Sequence, residues 1–216
     1  MAAYDLEEQE QLSQIKAWWE QYGNLVSGVT LAVALIAAGY QGWHWNQRKQ
    51  AAEASALYTS VQQAAQAHNG QQAREAAGEL ISKYSGTVYA DLGVLLAAKV
   101  QVDAGDAKNA RTQLAWAAEK ASDPALRDLA KLRLAAVLLD DKAYDEALAQ
   151  LAKPGEGLEA RFADLKGDVL VAQGKTAEAK AAYKQALELT DKTDRQDAKA
   201  LHDLAQAKLD SLGGAN

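Results

Sequence analysis

The side chains that could do chemistry are few, and their spacing is poor for it. Three histidines, His44, His68 and His202, lie far apart, and none stands at the short interval that brings two metal ligands onto one helix face. There is no cysteine, which removes thiolate nucleophiles, disulfides and thiolate metal sites together. Carboxylate pairs occur at Asp140–Asp141 and Asp145–Glu146. They fall at a turn and at a helix start, where solvation and the positive end of a helix dipole account for them better than catalysis does. No Gly-rich phosphate loop follows a strand pattern, and no Ser/His/Asp set suggests itself. The expectation is a protein with no catalytic residues, no metal and no cofactor, and so not an enzyme.

The elements available to position any site are helices. Alanine is abundant, while proline and β-branched residues are few, a composition that predicts an all-α chain. Of the formal net charge of −6, most belongs to residues 1–20, where Asp5, Glu7, Glu8, Glu10 and Glu20 face one Lys16. The remainder is close to neutral and carries no basic face, which argues against nucleic acid as a partner.

One stretch, Gly23 to Trp45, has a different character. No acidic residue, Lys or Arg occurs between Glu20 and Arg48. From Gly23 to Tyr40 a helix would span about 27 Å, close to the roughly 30 Å of a hydrocarbon core. Trp18, Trp19 and Tyr22 stand at one end and Tyr40, Trp43 and Trp45 at the other, where amphipathic rings prefer the headgroup layer. The acidic start lacks the basic region of a cleaved signal peptide. The expectation is a transmembrane helix over 23–45 after an acidic tail over 1–22. Within that tail a helix over 5–22, capped by Asp5, would carry a stripe of Leu12, Ile15, Trp19 and Tyr22. No Pro or Gly interrupts the chain from Trp43 to Asn69, so the spanning helix is expected to run on to about His68.

After the span the sequence repeats. Residues 160–191 place Gly167, Gly174, Ala179, Tyr183 and Ala186 at positions 8, 15, 20, 24 and 27 of the tetratricopeptide (TPR) pattern. Small residues at 8 and 20 let two antiparallel helices approach, a glycine at 15 supplies a positive φ, and the aromatic at 24 is expected to pack into the next pair. A copy from about Asp128 has Ala135, Ala147 and Leu151 at matching places, and one from about Asp91 has Ala98, Gly105, Ala110 and Leu114. A weaker copy from about Leu57 has Ala64, Ala76 and Leu80. Pro124 and Pro154, the only two prolines, fall between copies. Residues 194–212, with Leu201, Leu204, Lys208 and Leu212 on roughly one face, read as the capping helix a solenoid needs, ahead of a frayed tail at 213–216. The expected architecture is a single transmembrane helix, then a TPR-like α-solenoid of about four helix pairs over 46–212.

In such pairs the first helices line a groove. Here its positions are occupied by Leu95, Lys99, Val102, Leu132, Leu139, Arg161, Asp164, Asp168 and Val171, a mixture suited to an extended or helical peptide. For each of Leu95, Leu132, Leu139 and Val171 the simpler and preferred reading is inter-helix core.

The acidic tail with its segment Glu7–Gln11, the segments Lys16–Trp19, Tyr22–Gly23 and Tyr40–Trp43, and the run Ala52–Tyr58 ahead of the TPR-like pairs resemble the YfgM family, the ancillary SecYEG translocon subunits of Gram-negative bacteria. The resemblance runs the whole length. It implies an inner-membrane protein with a cytoplasmic tail and a periplasmic TPR domain. It further implies association with SecYEG, with a membrane-anchored periplasmic chaperone of the prolyl-isomerase-like type and with translocating polypeptides, which would pass to periplasmic chaperones. Some members are linked to negative control of a stress-response regulator. The alternatives are therefore a regulator that sequesters a signalling protein and an envelope-assembly scaffold. Counted locally, Arg48 and Lys49 against Lys16 favour the opposite orientation by one residue.

Overall fold

The computed structural model describes the backbone of residues 2–192 and 196–213, and side chains within 11–192 and 198–213. Among these residues there are helices and no strands: α1 (Ala2–Gln66), α2 (Gly70–Tyr84), α3 (Val88–Asp103), α4 (Ala107–Lys120), α5 (Pro124–Asp140), α6 (Tyr144–Gln150), α7 (Glu159–Ala172), α8 (Thr176–Thr190) and α9 (Gln196–Ser211). The chain divides into two compact units, Met1–Lys49 and Gln50–Asn216.

The first unit is α1 as far as Lys49. The helix already includes Asp5, which is therefore an internal residue and not a cap. An uninterrupted run of good helix formers extends the element past the polar residue that could have opened it. Among the described residues α1 is long and apolar enough to cross a membrane, and almost none of its apolar stretch is buried.

The second unit opens with the last turns of α1, which contribute Ala54, Val61 and Ala64 to its core. The last turns of α1 share this core with α2, and Tyr84 of α2 donates its hydroxyl to Glu53 at 3.1 Å. The pairs α3 with α4, α5 with α6 and α7 with α8 follow, with α9 against the last pair. First helices also meet first helices, α3 with α5, α5 with α7 and α7 with α9.

Each pair is closed by the same turn. His68, Gly105, Lys142 and Gly174 all have positive φ, between 50° and 77°. In each turn the following residue donates its N–H to the carbonyl five residues back, at 2.8 to 2.9 Å, as in a Schellman C-cap. Only two of the four are glycine. His68 and Lys142 hold a conformation that costs an L-residue roughly 1 kcal/mol, and the turn bonds and packing sustain it.

These turns are 37, 37 and 32 residues apart, and they correct the register of the first copy. Counted back from His68 it begins at Ala54, three residues before Leu57. Positions 8, 20 and 24 are then Val61, Ala73 and Ala77, all fully buried, in place of Ala64, Ala76 and Leu80. With that register, position 20 is a fully buried alanine in every pair: Ala73, Ala110, Ala147 and Ala179. Position 8 is Val61, Ala98, Ala135 and Gly167, and position 24 is Ala77, Leu114, Leu151 and Tyr183.

Helix starts follow capping chemistry. Asn69, Thr87, Asp106 and Asp123 each accept a backbone N–H from the first turn of the helix they precede, and Pro124 occupies the first position of α5. Asp91, fully buried in α3, reaches across to the α4–α5 connection. It accepts from the Ser122 N–H at 2.9 Å, the Ser122 hydroxyl at 2.7 Å and the Asp123 N–H at 3.2 Å.

At position 11 the pairs carry Ala64, Gln101, Leu138 and Leu170. Gln101 is 1% exposed, and neither amide atom has a hydrogen-bond partner. An unsatisfied buried amide costs about 1–3 kcal/mol. Gln101→Leu, the residue two other pairs use, is expected to raise the unfolding free energy by about 1–2 kcal/mol in urea titration at unchanged slope. A loss of stability would mean that the amide is satisfied.

The capping helix is described from Gln196, so its expected start at 194 lies outside the described residues, as do tail positions 214–216. Its buried face is centred on Ala205 and Leu209, with Leu201, Lys208 and Leu212 at the margins. Leu204, expected on the inner face, points outward and is 50% exposed. Four residues span slightly more than a helical turn, so Leu201 is followed on the inner side by Ala205.

Candidate functional site

On the first unit the six aromatics expected at a membrane interface are all exposed along α1. Trp18 packs on Tyr22 at 5.7 Å between ring centroids, and His44 sits edge-on to Tyr40 at 4.3 Å and to Trp43 at 5.1 Å. Between the two groups Leu25, Val29, Leu31, Val33, Leu35 and Ile36 are likewise exposed. A continuous apolar surface of this extent requires an apolar surrounding.

On the second unit the expected groove residues separate into four sets. Leu95 is buried in the core, and Leu132 and Leu139 pack partly buried against it. Lys99 and Val102 share a cleft of about 270 Å³ between α3 and α5, with Ala98, Ala136, Val137 and Asp140 among its walls. Val171 is exposed on α7, and Arg161 is exposed at the start of the same helix; neither lines that cleft.

Asp164 and Asp168 form the fourth set, and α9 occupies them. They lie one turn apart on α7, and the Lys208 ammonium donates to both, at 2.8 Å and 2.7 Å. Tyr183 donates its hydroxyl to Asp168 at 2.8 Å, and the Lys208 ammonium stands 5.7 Å from the centroid of its ring. Burial pushes the Asp164 carboxyl up, against the pull of Lys208. For Lys208 burial opposes the charge, but the bonds to Asp164 and Asp168 outweigh it and hold the ammonium above its ordinary 10.5. Burial, then the bond to Asp168, pushes the Tyr183 phenol well above its ordinary 10.0.

The sign for stability follows. Both Lys208 and Tyr183 have folded-state values above the unfolded ones, so their contributions are complete below pH 10 and are lost as pH rises through the folded values. Raising pH from about 10 to about 12 is expected to lower the unfolding free energy, and more shallowly in Lys208→Met. Parallel pH profiles for the two proteins would show that Lys208 has no part in the loss.

Two participants escaped the sequence reading. Arg133 lines the α3–α5 cleft, and Asp91 ties adjacent pairs together. Both depend on contacts more than thirty residues away in sequence. Among the described residues no cluster of three or more His, Asp or Glu has the placement of a metal site.

The tetratricopeptide repeat-like domain family matches residues 16–214. Proteins named ancillary SecYEG translocon subunit are similar over nearly their whole length. That of Neisseria gonorrhoeae is 36% identical over 98% of this chain and 100% of the relative, and that of Haemophilus influenzae 33% identical over 91% and 97%. The chain belongs to the family of ancillary SecYEG translocon subunits. The Escherichia coli K12 member is 30% identical over 95% of this chain and 96% of its own length. Matches of this span take in the apolar helix as well as the repeats, so the family likeness covers both units.

Proposed function

We propose that the protein is a non-catalytic, single-pass component of the bacterial inner membrane that associates with the SecYEG translocon. Residues 1–22 lie in the cytoplasm, 23–45 cross the membrane, and the TPR-like domain stands in the periplasm. There it receives newly translocated polypeptides on the face of its first helices and passes them to a membrane-anchored, prolyl-isomerase-like chaperone. The observation that carries this reading is the likeness to ancillary translocon subunits over both the apolar helix and the repeats. The aromatic groups of α1 support the span, and the cleft beside Val102 supports a peptide-binding face.

Mild-detergent purification of the native complex, with identification of every co-purifying chain, tests the association. SecYEG subunits are expected. Outer-membrane or cell-wall machinery in their place would turn the reading to an assembly scaffold. A reporter that fluoresces only in the cytoplasm, fused after Asn216, is expected to stay dark, and bright signal from inserted protein reverses the orientation. Loss of signalling control on deleting residues 1–16, with translocon association intact, would add a regulatory tail.

A further inference from the structure

The cleft between α3 and α5 has walls of one kind and a cation of another. Ala98, Val102, Leu114, Ala136 and Val137 give it an apolar lining. Arg133 enters it half-buried, and its guanidinium donates one hydrogen bond, to the Leu95 carbonyl at 3.2 Å. A guanidinium has five N–H donors in a planar fork that matches a carboxylate. Among the described residues no carboxylate lies within ion-pair distance of Arg133.

The neighbouring charges do not fill that place. Lys99 is paired with Asp103 one turn along α3. Asp140, at the other end of the cleft, lies seven residues beyond Arg133 on the same helix, about 10 Å away along the axis. Burial, with no charge to offset it, lowers the pKa of Arg133. Desolvation of that kind is repaid when a carboxylate arrives. Elsewhere on the same face Asp164 and Asp168 are already paired with Lys208.

We infer that this cleft binds an internal polypeptide segment in which an apolar side chain stands next to an Asp or Glu, the apolar group resting on Val102 and Val137 and the carboxylate meeting Arg133. The inference rests on the proposed role in receiving polypeptides and names the chemistry selected. The apolar walls favour a side-chain carboxylate beside a hydrophobic residue over a compact, hydrated anion such as phosphate. Asp140 then faces the opposite end of the bound segment, where a backbone N–H or a Lys would meet it.

The test uses the full chain in nanodiscs and two fluorescent peptides, acetylated and amidated so that the side chain supplies the sole carboxylate. They are identical except for Leu-Glu against Leu-Gln. The Glu peptide is expected to bind about 10-fold more tightly, the effect of one charge-assisted hydrogen-bonded pair. Arg133→Gln should abolish that preference by weakening the Glu peptide far more than the Gln peptide, while Arg133→Lys restores part of it. Val102→Lys should weaken both peptides.

Equal binding of the two peptides by the unaltered protein, no binding of either, or an undiminished preference in Arg133→Gln overturns the inference. So does displacement of the Glu peptide by inorganic phosphate at equal concentration. SecYEG co-purification, followed in the same preparations, separates the two failures. Its loss in the unaltered protein sinks the proposed function, whereas its retention without peptide discrimination sinks only the cleft assignment.

Discussion

Lys208→Met is expected to lower the unfolding free energy of the TPR-like domain by about 2–3 kcal/mol. Asp164 is 7% exposed, and its Oδ1 has no partner even in the intact protein. Lys208 is what neutralises it. Removing one member of a fully buried pair costs about 3–5 kcal/mol, because the other charge stays in a low-dielectric site. The figure here is smaller because 24% of the Lys208 side chain remains exposed. Urea titration of the full chain measures the loss, and hydrogen exchange locates it: amides of α9 should exchange faster while those of α3 to α5 hold. Adding Asp164→Asn and Asp168→Asn to the Lys208 variant should recover much of the loss, since the uncompensated charges are then gone. A change below about 0.5 kcal/mol in Lys208→Met would mean that the cluster is solvated like an ordinary surface pair.

Gly167→Ala should cost more than its size suggests. A Cβ at Gly167 would lie 2.3 Å from Cε1 and 2.5 Å from Cδ1 of the Tyr183 ring. The ring has no easy retreat: Tyr183 is 3% exposed and its hydroxyl is fixed to Asp168. Overpacking of this kind costs about 1–3 kcal/mol, and a close approach to a held ring belongs at the upper end. It exceeds the roughly 1 kcal/mol that alanine gains over glycine in a helix interior. In a Tyr183→Ala background the same substitution should become neutral or stabilising, so a double-mutant cycle should return a large coupling. If Gly167→Ala simply stabilises, the ring is not the wall described.

The helix order and most of the repeat register were legible because they rest on local chemistry. Gly105 and Gly174 announced their turns, and the prolines marked the gaps between copies. The first copy was displaced by three residues because His68 adopts the left-handed conformation without the glycine that advertises it. Lys142 does the same, but there the neighbouring alanines kept the count correct. Tyr183 was expected to reach the next pair. It does meet Lys208 of α9 and shares a cluster with Leu209, and it also fills the space left by Gly167 within its own pair.

The face of the first helices was read from position alone, and position does not report occupancy. Leu95 is 3% exposed and belongs to the core, the plainer of the two roles its position allowed. Asp164 and Asp168 looked open until Lys208, 40 to 44 residues onward, was placed between them. Arg133 stood at none of the positions taken for the groove, yet it carries an unmatched charge into the α3–α5 cleft.

The repeated turn also determines where the chain tolerates changes of length. In the four pairs the stretch from the position-8 residue to the left-handed residue is the same, whereas the second helices range from 15 residues in α2 to 7 in α6. Insertions and deletions are therefore absorbed on the outer layer and in the connections between pairs. The inner row keeps its spacing whatever happens behind it. A few Gly-Ser residues added after Lys153 should leave peptide selection intact, whereas the same addition after Gly174 should throw α8 out of step with α7. In this way one edge of the domain is free to drift in sequence length while the other holds its shape.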